Sequence, residues 1–489
     1  MTTASTLLAP VRDLAAGPRE FFDRAAARLA AGARPVTFYG QPADDPASLT
    51  LTLVLEEEGR LSATRTAVSR EKGFHALTRK FPALHAFERE IFEAHGVKPH
   101  DHPWLKPVRF SGPEPRQMDR YPFYVVEGAQ VHEVAVGPIH AGVIEPGHFR
   151  FMCLGEVVHH LEIQLGYQHR GVERLLLQRE PRALAPLVET IAGDSSVAHA
   201  WAYCDALEAL AGLQAGPDVE ASRALGLELE RIAMHLGGLS GIAGDLAFLQ
   251  GAATYGRLRT TAINTSMLVC GSRFGRGWAR PGALRPGVDA EKAAAIRAAL
   301  ALLARDVAIV NEHLLSARSV QHRLHGVGVV RREQALEIGL VGLAARASGV
   351  ACDARASLPG DLHAAHPVRA LTERSGDCWA RTVLRIREID ASIRWLGGLL
   401  DAHPALAPSA APLGALAPDT LAVALREGWR GEVVHCLETD GQGRLRHYAV
   451  QDPSLRNWLG LALAVRGNEI SDFPICNKSF DLSYCGNDL

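Results

Sequence analysis

The chain has 489 residues, 47% of them hydrophobic and 22% charged, with a formal net charge of −2. That length is too great for one compact domain, and that charge offers no basic field to attract nucleic acid or anionic lipid. Eight cysteines, at 153, 204, 270, 352, 378, 436, 476 and 485, include no C-x-x-C, so reduced buried thiols are expected rather than a disulfide framework, and zinc-finger and cluster-ligand spacings are absent.

The opening MTTASTLLAPVRDL places Arg12 and Asp13 where the apolar core of a secretory signal continues, so no such signal is expected. Residues 1–40 read as helical, with Leu14, Phe21, Phe22, Ala25 and Leu29 at helical intervals. From 48 to 66, Leu49, Leu51, Leu53 and Leu55 alternate with Thr50, Thr52 and Val54 before the turn Glu58-Gly59, which predicts a β-hairpin. A helix, RKFPALHAFEREIFEAHG, runs to Gly96. The stretch that follows holds five prolines before Pro122, which forbid regular structure and put a domain boundary near 125.

Next, RFMCLGEVVHHLEIQL predicts a hairpin around Gly155 with His159, Leu161, Ile163 and Leu165 on one face. A helix is expected to open at His169, and 186–214, 218–250, 289–320 and 375–402 read as helices joined by Gly/Arg/Pro-rich loops. The longest apolar run, AAAIRAALALLARDVAIV, is broken by Arg297, Arg305 and Asp306, so it reads as an amphipathic helix and not a membrane span. From 430 on, EVVHCLET and LRHYAVQD form two strands around the turn DGQG. The expected architecture is α+β: a small N-terminal α/β sandwich-like domain over 1–125, then a larger helix-rich domain over 126–489.

Several segments carry chemistry. GPIHAGVIEPGHFRF brings His140, Glu145 and His148 together on a loop entering a strand, and a carboxylate flanked by imidazoles passes protons near neutral pH. Taken alone, the segment is better explained as a polar loop rich in turn formers. In GYQHRGVER, His169 and Glu173 stand four apart, a spacing that lets them touch on a helix, though a surface ion-pair cluster has the same pattern. Arg346, in ALEIGLVGLAARASGVACDAR, is read as a loop arginine able to reach an anion. No P-loop and no strand–G-x-G-x-x-G–helix is present.

The order of the segments is more specific than any one of them. GPIHAGVIEPGHFRF, LGYQHRGVER, SSVAHAWAYCDALE, ELERIAMHL, RASGVACDAR, GDCWARTVLRIREI and FPICNKSFDLSYCGNDL follow one another along the chain. The series resembles the large subunit of the complex I-like membrane-bound [NiFe] hydrogenases of the formate hydrogenlyase and hydrogenase-4 type, and equally the quinone-facing large subunit of complex I. AFEREIFEAHG followed by HPWL resembles the small complex I subunit that neighbours it, fused here.

In those hydrogenases two C-x-x-C pairs hold nickel and iron. The resemblance places the four ligand positions at Ala192, Ser195, Ser483 and Gly486, none of them cysteine; Cys485 misses the register by one and Cys476 precedes it by several. It implies no metal site and a vacated pocket lined by Ala192, Asp194, Ser195, Ser483 and Arg346, expected to be wet and to suit a quinone or another small oxidant. Glu145 falls at the family's proton-relay glutamate, with His140, His169 and Glu173 as further links. The implied partners are an iron–sulfur small subunit holding a [4Fe-4S] cluster and antiporter-like membrane subunits, with the chain cytoplasmic and peripheral to the membrane through them. Two readings stay open, a redox subunit and a non-catalytic assembly and coupling module; an active nickel hydrogenase conflicts with the missing thiolates.

Overall fold

The structure is a computed structural model and describes residues 3–112, 117–141 and 144–489. In the N-terminal part, β1 (Thr6–Pro10) and α1 (Pro18–Ala30) precede an antiparallel sheet of β2 (Arg34–Pro42), β3 (Ser48–Glu57) and β4 (Arg60–Ser69), followed by α2 (His85–His95). Glu58 and Gly59 both have positive φ, as the two-residue turn between β3 and β4 requires. Residues 1–40 are thus not uniformly helical. Among the described residues of this stretch the α-helix is Pro18–Ala30, with a short 3-10 turn at Val11–Leu14, because Val36, Phe38 and Tyr39 favour a strand that β3 completes.

Both faces of β3 are buried, the leucines on one and Thr50, Thr52 and Val54 on the other. Leu49, Leu51, Leu53 and Leu55 pack against Phe21 and Leu29 of α1 and Phe87 and Ile91 of α2. Val36 and Val54 face the other way, onto Leu421, Val423 and Val434 near the end of the chain.

The larger part opens with β5 (Val131–Val136), β6 (His148–Leu154) and β7 (Val157–Gln164) in one antiparallel sheet. The ladder shifts where Met152 faces His160 but Cys153 faces Val158, and this bulge at His159 turns its side chain to solvent. The expected face is therefore broken: Leu161 is buried and His159 exposed. Next come α3 (Val172–Leu176), α4 (Ser196–Leu210), α5 (Pro217–Asp245), α6 (Leu249–Cys270), α7 (Ala290–Ser316), α8 (Gly342–Ala347) and α9 (Cys378–Ala402).

Helix α6 was not expected from the sequence, because Gly251, Gly256 and a run of threonines dilute its helical pattern. Packing against α5 and α7 outweighs that propensity. Arg346 lies on helix α8 and not on a loop.

The chain closes with β8 (Thr420–Glu427), β9 (Glu432–Thr439) and β10 (Leu445–Gln451), then α10 (Pro453–Ala464), α11 (Phe473–Phe480) and α12 (Tyr484–Asp488). Strand β1 pairs with β8, Thr6 opposite Ala424, so the start of the chain completes a sheet built from its end. Every residue of β8 and β9 is buried, and this sheet forms the floor beneath α4. Among the described residues, no helix is long and apolar enough to cross a membrane.

Candidate functional site

The C-terminal segment threads back into the fold and gathers most of the predicted residues. Ser483 caps α12, its Oγ accepting from the Gly486 N–H at 2.9 Å, while its own N–H donates to Ser454 Oγ at 2.9 Å. Glu145, half-buried, accepts from the Tyr484 N–H at 3.3 Å, which brings the 137–147 loop onto this segment; Gly142 and Val143 of that loop lie outside the described residues. The Cys485 sulfur is 3.4 Å from Ser483 Oγ, and burial, reinforced by Glu145, pushes its thiol up to about 11. At neutral pH it is a thiol, the poorer metal donor.

Opposite stands the segment before α4. Asp194 takes a bidentate pair from Arg430, at 2.6 and 2.7 Å, and its carbonyl accepts from Trp429 Nε1 at 2.9 Å. The Arg430 guanidinium stacks on Trp429 at 3.9 Å and donates to the Asp481 carbonyl, so it ties together the two segments that would have supplied metal ligands. Ser195 lies at 3.5 Å from the same guanidinium. Of the four ligand positions, Ala192, Ser195 and Ser483 are buried without a thiolate, and the fourth is Gly486.

A Cβ placed on Gly486 would lie 2.6 Å from Asp452 Cγ and 2.7 Å from its Oδ2. Asp194 lines a cavity of about 10 Å³, which has room for roughly one water. Of the residues expected to line a wet vacated pocket, Asp194 lines this small cavity, together with Val197 and Glu230. Among the described residues no three His, Cys, Asp or Glu side chains converge as a metal site. This donor set does not fit a Ni–Fe centre, which needs several soft thiolates.

Sequence reasoning missed the chain of groups leading away from this place. Asp452 Oδ2 meets His199 Nε2 at 3.2 Å, His199 Nδ1 meets His435 Nε2 at 3.1 Å, and His435 Nδ1 meets the Tyr448 hydroxyl at 2.8 Å. All four are buried. Burial, and then His199, holds His435 well below the ordinary histidine range, whereas Asp452, although burial opposes it, is kept ionised by the His199 hydrogen bond. Such a chain of alternating donors and acceptors passes a proton stepwise. The signal was polar residues inside an otherwise apolar strand, His435 in EVVHCLET above all.

Of the remaining predicted residues, His169 also touches the C-terminal segment and the others sit elsewhere. His140 Nε2 meets the Gly147 carbonyl at 2.9 Å within its own loop. His169 precedes Gly171, whose left-handed backbone starts α3, so His169 is outside that helix; its Nδ1 meets the Asp488 carbonyl at 2.7 Å. Glu173 accepts from the Val450 N–H at 2.8 Å, and burial, then Glu90, raises its carboxyl to about 7. Arg346 is fully buried and bonds Glu388, Glu427 and the Cys352 carbonyl. It is an internal hub of charge pairs, not an anion-seeking side chain.

Glu230 borders the same place. It accepts from the Val197 and Ala198 N–H groups at the start of α4, yet burial raises its carboxyl to about 8. The folded state therefore holds this proton more tightly than the unfolded chain. The stability it gives is full below the ordinary 4.5 and is lost as pH rises through about 8. Glu230→Gln keeps an acceptor without the ionisation, so its stability relative to the parent is expected to rise by on the order of 2–3 kcal/mol between pH 5 and pH 8, read from urea unfolding at both.

The 245–415 stretch matches the family model described as "Respiratory-chain NADH dehydrogenase, 49 Kd subunit". The D subunit of NADH-quinone oxidoreductase from Dehalococcoides mccartyi is 30% identical over 349 residues, 71% of this chain and 95% of that protein. The chain belongs to the 49 Kd subunit family of the respiratory-chain NADH dehydrogenase. Within reach of this family are Escherichia coli formate hydrogenlyase subunit 5, 28% identical over 85% of this chain and 77% of its own length, and hydrogenase-4 component G, 27% identical over 86% and 76%. The matches to this 49 Kd-type family reach well beyond the 245–415 stretch, in keeping with the seven segments that carried the resemblance.

Proposed function

We propose that this chain is the large subunit of a complex I-like, hydrogenase-related membrane-associated oxidoreductase that works without a Ni–Fe site. Electrons reach it from an iron–sulfur small subunit that holds a [4Fe-4S] cluster, and the redox change is passed to antiporter-like membrane subunits as proton movement. The observation that carries this reading is the replacement of the ligand set: the Arg430–Asp194 pair and the Asp452–Gly486 contact stand where four thiolates would converge. Glu145 on the Tyr484 N–H and the Asp452–His199–His435–Tyr448 chain supply groups for proton transfer. Residues 1–125 are read as the fused small-subunit-like domain and 126–489 as the large-subunit-like domain. The C/D subunit of NADH-quinone oxidoreductase from Phocaeicola vulgatus, a relative whose name joins two letters in one polypeptide, supports the fusion. The chain is placed at the cytoplasmic membrane face through its partners.

A quinone is the acceptor this reading assigns, with Asp194, Ser195 and Ser483 nearest and Arg346, held in its charge hub, left out. A second reading, an assembly and coupling module with no acceptor of its own, is favoured by the cavity of only about 10 Å³ at Asp194. Purifying the chain with its small-subunit partner and assaying nickel, iron and quinone together separates them. The expected result is cluster iron, no nickel above background and a co-purifying quinone. Iron without quinone, and no binding of added quinone, moves the assignment to the coupling module; stoichiometric nickel overturns both.

A further inference from the structure

A cavity of about 600 Å³ lies away from the residues above, between α2 with the 103–108 segment on one side and β7 with α10 on the other. None of Glu145, Asp194, Ser195 or Ser483 lines it. Its volume is that of a small-molecule site. Leu161, Leu455 and Leu459 give it an apolar wall, and Trp104 and Trp458 give it flat aromatic surface.

Two polar atoms in this lining are buried without a partner among the described residues. They are Trp458 Nε1 and His85 Nδ1, in side chains only 5% and 7% exposed. A buried polar atom left unpaired costs about 1–3 kcal/mol, so Trp458 Nε1 marks a place for a ligand acceptor, and His85 Nδ1 for an acceptor or a donor according to its tautomer. Burial, and then Arg89, keeps the His85 imidazole neutral.

The charges in the lining are unequal. Lys106 and Glu162 pair with each other. Arg89 stacks on Trp104 at 4.3 Å and donates to the Lys106 and Pro107 carbonyls, while Arg466 meets His160 Nδ1 at 3.1 Å. Neither arginine has a carboxylate ion pair among the described residues. Two guanidiniums without a direct carboxylate partner among the described residues border an apolar, aromatic floor, Arg89 being partly balanced by Glu93 and Glu162 at longer range.

We infer that this cavity is a second binding site, for an amphipathic monoanion with an apolar body and one carboxylate or sulfonate head. The body lies against Trp458 and the leucines, and the head faces Arg466 and Arg89. The Trp458 ring also touches Tyr484 edge-on at 4.8 Å, so an occupant would sit one ring from the C-terminal segment.

The test uses the full chain and the fluorescence of 1-anilinonaphthalene-8-sulfonate, displaced by decanoate or by decanol. Decanoate is expected to displace the probe at least about tenfold more strongly than decanol. Leu459→Trp, which fills the cavity, is expected to abolish probe binding with the far-UV circular dichroism unchanged. Arg466→Gln, at an exposed position on the rim, is expected to weaken decanoate by about tenfold and leave decanol unaffected, a readout that survives if the tryptophan variant does not fold. Probe binding that persists in folded Leu459→Trp, equal competition by decanol, or an unaltered decanoate response in Arg466→Gln overturns the proposal. So does loss of binding when the small-subunit partner is added, which would make the cavity a covered protein interface.

Discussion

Replacing Arg346 by methionine is expected to lower the free energy of unfolding by about 3–5 kcal/mol, the loss that follows when one partner of a buried charge cluster is removed. The guanidinium is fully buried and bonds Glu388 Oε1 at 2.7 Å and Glu427 Oε1 at 2.7 Å, with Asp353 at 3.9 Å. Burial alone would raise Glu388, but Arg346, His235 and Arg231 together hold it well below the carboxylate range. Burial and Asp353 already raise Glu427 to about 7 with the arginine in place.

Two carboxylates respond differently to its loss. Glu388 keeps His235 at 2.8 Å and stays largely ionised, while Glu427 takes up a proton at neutral pH. Because Glu388 is depressed in the folded state, the stability it gives is present above the ordinary 4.5 and is lost as pH falls through its folded value. The gap between parent and variant should therefore be widest near pH 8 and narrow toward pH 5, where Glu427 is protonated in both. Urea midpoints at the two pH values check this. A gap independent of pH would mean that lost packing, not uncompensated charge, sets the cost. Adding Glu427→Gln to the variant should recover part of the loss.

This hub also shows why the sequence was only partly readable. Hydrophobic alternation located β3, β4, β6 and β7, and glycine and proline marked the turn at Glu58-Gly59 and the end of α2 at Gly96. Those are local signals. Arg346 took its role from Glu388, which is 42 residues away, and Glu427, which is 81 away, and no local pattern reports such a pairing. Strand β1 was missed for the same reason, since its partner β8 lies over 400 residues on.

Among the candidate residues, Glu145, Asp194, Ser195 and Ser483 were singled out because segment order tied them to a known arrangement. Arg430 and Asp452 were missed because REGWRGE and VQDPS read as ordinary polar turns. A charged side chain is informative only once its burial is known, and burial is a property of the whole fold.

Gly486→Cys, which puts a thiol at one of the ligand positions the resemblance implies, is expected to destabilise the chain by about 1–3 kcal/mol and to create no nickel site. The new Cβ would stand 2.6 Å from Asp452 Cγ, 2.7 Å from Asp452 Oδ2 and 2.9 Å from Ser483 Oγ. Asp452 cannot withdraw cheaply. It caps α10 through the Ser454 N–H at 2.8 Å and bonds His199 at 3.2 Å, so a shift breaks a helix cap and the first link of the histidine chain together. Ser195→Cys is the control, because it exchanges one side-chain atom without adding a Cβ and the hydrogen bond it weakens, from Arg430, is long at 3.5 Å; its midpoint should move less. Ser483→Cys should fall between them, since it weakens the cap on the Gly486 N–H at 2.9 Å. If Gly486→Ala unfolds at the parent's midpoint, the space beside Asp452 is open and the place has merely lost its thiolates. A lowered midpoint for Gly486→Ala, with Ser195→Cys moved less, means that side chains have refilled the ligand site, and putting thiols back one position at a time will not recover it.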